Sequence, residues 1–295
     1  MRALIVINGY SRNGNLLEKA DRLQESLRER DIPADIVKAS DLLSFSDGLS
    51  CGVMNVEDYS FALYLDKDSY LAKALSFSMP IFNSYLSLVL SDDKMLTLQA
   101  LQGQGIPAPL TLSAPLCYVE NPDPETISSF LDNVEKTLSY PLVFKACHGS
   151  LGKQVLLIRD RKELEEVYLK NIRIPHLYEK YLPYHPGEDY RLIVIGDKVV
   201  AAMLRRNDKD FRSNIALGGV GYDVTKTIGE DFKKMAIRAT KALSLDYAGI
   251  DLAIGKDGKP VFLEANGNAF FHEIEKVSHV DIASLLVDHI LSKIR

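Results

Sequence analysis

Between residues 247 and 266 the chain reads YAGIDLAIGKDGKPVFLEAN, and this stretch constrains the fold more than any other. Asp257-Gly258 is a favoured pair for a tight hairpin turn. If those two residues form the loop, Asp251 stands opposite Glu264, and Asn266 lies two residues on, on the same face. Ile250, Leu252, Ile254, Val261, Leu263 and Ala265 then fall on the other face, all apolar. One face packs into a core while the other gathers two carboxylates and an amide. Like charges directly opposed destabilise a sheet, and oxygen ligands in such an array suit a hard divalent cation such as Mg²⁺. A solvated acidic face, or a slipped register from a longer turn, is the competing reading of the segment.

The first 90 residues alternate strand and helix signals. Apolar runs at 3–7, 34–39, 61–65 and 81–82 read as strands, and residues 15–30 and 68–77 as helices. Leu16, Leu17, Ala20, Leu23 and Leu27 form the stripe of the first helix. This alternation implies parallel pairing with right-handed crossovers, hence an α/β unit. The turn from Asn8 to Gly14 lacks the glycine spacing of a dinucleotide fingerprint. Glycines and prolines between 103 and 109 mark a boundary. Beyond it the pattern predicts helices at 124–137, 160–170, 230–243 and from 281. Strands are expected at 142–147, 154–158 and 176–181, with a hairpin turning at Gly196-Asp197.

Three cationic features need an explanation. Ser91 reads as an N-cap followed by Asp92 and Asp93, and this sets Lys94 where a helix start disfavours a cation. Lys145 interrupts the apolar strand LVFKA and must reach solvent or an anion. Either lysine is also compatible with simple snorkelling. The loop His148-Gly149-Ser150-Leu151-Gly152 is small enough for its amides to face phosphate, without Walker spacing. The run from Arg205 to Asn214 interleaves cations and acids, either as a solvated loop or as an arm that clamps phosphate.

The chain has a net charge of -5, with 35 basic and 40 acidic residues, so it lacks the broad basic footprint of a nucleic-acid binder. No stretch has the length of a membrane span or the pattern of a signal peptide, and the expectation is a soluble cytoplasmic protein. Cys51, Cys117 and Cys147 show no metal spacing and read as reduced thiols.

Taken together, the strings GEDYRLIVIGDKVVAAMLRR, DFRSN, LDYAGIDL, FLEANGN and EIEK resemble the ATP-grasp superfamily, specifically the RimK-type α-L-glutamate ligases, from about residue 91 onward. The resemblance implies an α/β protein with an ATP-grasp fold: two α+β subdomains (91–176 and 177–295) clasping ATP, preceded by a Rossmann-like pre-ATP-grasp domain at 1–90. It implies that Lys94 and Lys145 contact the nucleotide phosphates. Glu179 and Lys180 would form the adenine-holding hinge, with Asp189 nearby. Arg191, Arg206 and the Arg212-Ser213-Asn214 run would line the phosphate and acyl-transfer site, with Arg206 and Arg212 stabilising the oxyanion. Asp251, Glu264 and Asn266 would hold two Mg²⁺ ions, with Mn²⁺ able to substitute.

The implied reaction joins an amino acid, glutamate foremost, to a carboxylate acceptor on a small molecule or a peptide tail. Nucleic acid and membrane are not expected partners, and such proteins assemble as homodimers or homotetramers. A glutathione-synthase-like or D-alanine-ligase-like activity and a silent ATP-binding module are the alternatives. Two departures stand out. Gly267-Asn268-Ala269-Phe270-Phe271 replaces the Ser/Ala-x-Pro-Gly that follows the metal-binding Asn in many relatives, and Lys153-Gln154 replaces a loop glycine. His272 lies close in sequence to the metal strand, but packing is the favoured role for it.

Overall fold

The alternation at the start of the chain closes into a parallel sheet in the computed structural model, which describes residues 1–46, 48–50 and 55–294. Strands β1 (Ala3–Ile7), β2 (Ala34–Lys38), β5 (Phe61–Leu65) and β6 (Ile81–Phe82) pair in the order β2-β1-β5-β6, all parallel. The short antiparallel pair β3 (Leu43–Phe45) and β4 (Gly48–Ser50), unforeseen from the sequence, stands apart. Helix α1 (Gly14–Arg28) is capped by Asn13, whose side chain accepts from the Asn15 amide. Its Leu16, Ala20, Leu23 and Leu27 are buried against β1 and β5. Leu17, expected on that stripe, is exposed, because one residue is a 100° step around the helix. Helix α2 is Ser69–Leu75.

The expected N-cap at Ser91 is corrected. Helix α3 (Tyr85–Asp92) is capped by Ser84 and already contains Ser91. Asp93 then adopts extended backbone and caps a new helix, α4 (Lys94–Ala100), by accepting from the amides of Met95 and Leu96. Lys94 is therefore the first residue of a helix.

The second sheet is antiparallel, in the order β7-β10-β8-β9, from β7 (Thr111–Ser113), β8 (Leu142–Ala146), β9 (Val155–Ile158) and β10 (His176–Lys180). Helices α5 (Pro124–Leu138) and α6 (Arg161–Asn171) bury Leu131, Val134, Leu138, Leu164 and Tyr168 against it. Its fourth strand, β7, is absent from the sequence reading.

The third sheet has the order β13-β12-β11-β14-β15, all antiparallel: β11 (Glu188–Ile195), β12 (Lys198–Arg206), β13 (Val220–Asp223), β14 (Tyr247–Ile254) and β15 (Pro260–Asn266). Helix α7 (Glu230–Ala242) covers one face with Phe232, Met235, Ala236 and Ala239, which pack on Leu192, Ala202, Ile250 and Leu252. The opposite face is split along its length. At one end Ile193, Ile195, Ala201 and Tyr247 join α1, α8 (His272–Ser278) and α9 (Ile282–Ile294) in a core shared with the first sheet. At the other end the same face carries a cluster of charged side chains.

Register explains that split, and it departs from the expected two-residue turn. The β14–β15 loop runs over residues 255–259, closed by Gly255 donating to the Lys259 carbonyl, and Ile254 pairs with Pro260. A bulge between Asp251 and Leu252 then inserts Leu263 and restores Asp251 opposite Glu264. Between loop and bulge the shifted register changes the core face, since Phe262 pairs with Leu252. Phe262, not Val261 or Leu263, is fully buried there. A second bulge between Ile193 and Val194 sets Arg205, rather than Leu204, opposite Asp189.

Cys117 and Cys147 are free thiols, and burial pushes Cys147 up to about 11. Cys51 lies outside the described residues. No helix among those residues is long and apolar enough to cross a membrane.

Candidate active site

Because side chains alternate along a strand, the ladder places Asp189, Arg191, Arg205, Asp251 and Glu264 on one face. Arg191 grips Asp251 with two bonds, Nε to Oδ1 at 2.7 Å and Nη2 to Oδ2 at 2.6 Å. Arg205 grips Asp189 in the same bidentate way and reaches Asp251 Oδ2 at 2.8 Å. Burial alone would raise the Asp251 carboxyl, but the two guanidinium groups outweigh it and hold it below the usual carboxylate range. Arg205, raised in turn, stays charged although buried, because Asp189 and Asp251 outweigh its desolvation.

Lys94 reaches in from the start of α4, with Nζ 3.1 Å from Glu264 Oε1 and 3.2 Å from the Gly149 carbonyl. Lys145 does interrupt its strand for an anion, the buried carboxylate of Glu179 on β10. These ion pairs balance: Asp189, Asp251, Glu179 and Glu264 face Arg191, Arg205, Lys94 and Lys145.

Two cavities open on this face. The first lies between the second and third sheets. It is lined by Lys94, Lys145, Glu179, Lys180, Asp189 and Arg205, by Arg212, Ser213 and Asn214 of the β12–β13 connection, and by Asp251 and Glu264. Gly149, Ser150, Leu151 and Gly152 of the connecting loop, and Tyr181, Leu182 and Phe211, also line it. The second cavity, about 960 Å³, lies between the third sheet and the first 93 residues. Arg191, Glu264, Asn266 and the segment 267–270 form one wall, and Asn8, Asn13, Asp66 and Lys67 the other. Ser150, Leu151, Arg205, Asn214 and Glu264 line both cavities and mark where they meet.

Most of the residues expected from the sequence are thus brought together, and Arg206 is the exception. It sits on the opposite face of β12, pairs with Glu188, and lines neither cavity. Its neighbour Arg205 faces in. Strand alternation offered the signal, but only the bulge in β11–β12 decides which of two adjacent arginines is inside. Arg212 reaches the first cavity, yet its guanidinium is largely committed to Asp210 and to loop carbonyls. His272 bonds to Glu18 on α1 and lines neither cavity.

The donor set at the cavity junction fits a hard cation. Asp251 is ionised, and three bonds leave lone pairs on its carboxylate. Glu264 has one ion pair. Asn266 lines the second cavity, where its Oδ1 is the atom able to ligate a cation, while its buried Nδ2, a donor with no partner among the described residues, suits a phosphate or carboxylate oxygen. No cluster of three acidic, His or Cys side chains that could hold a metal occurs among those residues, so an ion here would draw on the amide and on phosphate oxygens too.

Residues 91–290 match the RimK-like ATP-grasp domain. N-acetylaspartylglutamate synthase A of Homo sapiens is 36% identical over 202 residues, which are 68% of this chain and 49% of that protein. The chain thus spans about half the length of that relative. A probable alpha-L-glutamate ligase of Mannheimia succiniciproducens is 34% identical over 230 residues, 77% of this chain and 72% of its own. A RimK-domain ATP-grasp protein from Sphaerobacter thermophilus, 19% identical, shares the fold with a TM-score of 0.72 over 99% of this chain and 100% of that one. With well over half of its length inside that domain, the chain belongs to the RimK-like ATP-grasp family, and the charged face described above is a site on an ATP-grasp fold.

Proposed function

We propose that the chain is an ATP-dependent carboxylate–amine ligase that joins glutamate, or a similar amino acid, to a carboxylate acceptor. One observation carries the reading: a cation-lined cavity and a larger cavity meet at Arg205, Asn214 and Glu264. ATP occupies the first, against Lys94, Lys145 and the loop 148–153, and the hinge 179–182 bounds the adenine. The second takes the acceptor and the amine. In this division residues 1–90 supply the far wall of the acceptor cavity, residues 91–176 the phosphate loop, and residues 177–295 the charged face.

The acceptor carboxylate attacks the γ-phosphorus of ATP, the bond to the bridging oxygen breaks, and ADP leaves an acyl phosphate. The amine nitrogen then attacks the acyl carbon, phosphate departs, and the nitrogen loses its proton as the amide forms. Such transfer needs alignment and charge neutralisation more than a protein nucleophile. Nη1 of Arg205, which has no acceptor among the described residues, is the donor available where the cavities meet. Asp251, Glu264 and Asn266 would hold Mg²⁺, two ions in this reading with Mn²⁺ able to substitute, and the bound metal neutralises phosphate oxygens. Charge supports this, since a polyanion entering a balanced cluster of ion pairs needs counterions of its own.

Glutamate is the first candidate because both relatives named above carry it in their names. The test supplies ATP, Mg²⁺, L-glutamate and N-acetylaspartate, and measures phosphate release and product mass, with other amino acids and carboxylates in parallel. Phosphate release that depends on both an amine and a carboxylate is expected. ATP binding with no such release under any combination would overturn the ligase reading.

A further inference from the structure

Arg212 reaches the nucleotide cavity, yet four hydrogen bonds hold its guanidinium within the protein. Nε and Nη2 donate to Asp210 Oδ1 and Oδ2 at 3.0 and 2.6 Å. Nη1 donates to the carbonyls of Gly152 and Val155 at 2.8 and 3.1 Å. A guanidinium has five N–H donors, so one is left. Asp210 is itself set by the Arg212 amide, which donates to Oδ1 at 2.9 Å. The two carbonyls belong to the turn that carries the loop 148–153 back into β9, where Gly152 has a φ of +70°. The arm lies close here too, because a Cβ on Gly152 would come within 2.5 Å of Asn214 Oδ1.

We propose that Arg212 is a positioning residue. Its fork, oriented by Asp210, ties the β12–β13 arm to the carbonyl side of the phosphate loop, so that the loop's amides are held over the nucleotide. Asp210 and Arg212 thus form one device that spans the two sheets flanking the nucleotide cavity. The inference rests on reading that cavity as the nucleotide site.

The partner carboxylate separates this role from direct phosphate binding, because the two predict opposite signs. If Arg212 faced phosphate, Asp210 would be an anion beside a polyanion, and Asp210→Asn would tighten nucleotide binding. If Arg212 positions the loop, Asn cannot accept both N–H bonds, the fork loses its orientation, and binding weakens.

The experiment measures Mg²⁺-ADP affinity by calorimetry on the full chain and on Asp210→Asn and Arg212→Lys, with amide hydrogen exchange of residues 149–155 in the nucleotide-free proteins. Both variants are expected to bind ADP about tenfold more weakly, the size of one charge-assisted hydrogen bond, and to exchange faster over 149–155. Tighter or unchanged ADP binding by Asp210→Asn, or unaltered exchange in both variants, overturns the proposal. Failure of the unsubstituted chain to bind ADP overturns the nucleotide-site reading instead, and the exchange comparison still decides the tether.

Discussion

Arg205, on β12 between β11 and the edge strand β13, bridges Asp189 on β11 and Asp251 on β14, so one buried guanidinium joins two carboxylates that line the first cavity. Arg205 itself lines both cavities, so the counter-charge that these carboxylates share lies where the cavities meet. Both acids are buried, and this guanidinium, together with Arg191 on Asp251, supplies the counter-charge that buried carboxylates need.

Arg205 and Arg206 are adjacent in sequence and opposite in face, and their substitutions are expected to differ accordingly. Arg205→Lys keeps the charge but cannot make the bidentate bonds or place Nη1 at the cavity junction. A loss of kcat of about 100-fold or more is expected, the scale for one transition-state donor. Arg206→Lys disturbs an exposed pair worth about 1 kcal/mol or less, and activity within a few-fold of the unsubstituted chain is expected. Steady-state phosphate release by the two variants checks this, and equal losses would remove Arg205 from its assigned place.

Glu264→Ala removes the carboxylate that both lines the cavity junction and pairs with Lys94. Glu264 is only half-buried, so the fold is expected to survive with a small change in Tm. Turnover is expected to fall to background at any Mg²⁺ concentration. Retained activity with Mg²⁺ would take the metal assignment down with it.

Particular residues show why some of this was legible in the sequence and some not. Asp251 and Glu264 were placed opposite each other from a two-residue turn that does not exist. A longer loop and a bulge offset one another, and the pairing survived. The longer loop puts Phe262 opposite Leu252 and into the core, which a count based on the shorter turn cannot foresee. The resemblance implies Arg206, yet Arg205 is the arginine that faces in, and the bulge on the β11–β12 ladder that decides between them leaves no mark in composition. Helices α1, α5, α7 and α9 were legible from their apolar period, since each buries one long stripe. The break at Asp93 was not, because Asp serves equally as a first-turn residue and as a cap. The far wall of the second cavity was invisible for a different reason. Asn8, Asn13, Asp66 and Lys67 converge only through tertiary packing.

Asn83 binds the start of the chain to β14 and to the residue just after β15 with all of its amide. Oδ1 accepts from the amides of Asp246 and Tyr247 at 2.6 and 3.1 Å, and Nδ2 donates to the carbonyls of Tyr247 and Gly267 at 2.8 and 2.6 Å. Asn83→Ala leaves four buried backbone groups to find other partners. A destabilisation of about 3 kcal/mol is expected from bonds of this kind, read as a lower urea midpoint with an unchanged m-value. A midpoint shift near zero would show that water replaces the side chain without penalty.

Lys19 is fully buried on α1, where Nζ donates to Asn268 Oδ1 and the Ala269 carbonyl at 2.9 Å each and lies 4.8 Å from the Tyr247 ring centroid. No ion pair with a carboxylate offsets its charge among the described residues, and desolvation lowers its pKa from 10.5 to about 7. Below pH 7 the folded and unfolded chains both hold this proton, and the folded state bears the whole cost of burying the charge. Between pH 7 and 10.5 the unfolded chain binds more protons than the folded one, so the contribution of Lys19 to stability rises with pH, by up to about 1.4 kcal/mol per unit. Lys19→Met removes the titration while filling similar volume. Urea unfolding of both proteins at pH 7 and pH 9 is expected to show the difference moving in favour of lysine by about 2 kcal/mol. A difference that does not change with pH would mean that Lys19 keeps an ordinary pKa, and that polar groups around the segment 268–271 solvate its charge fully.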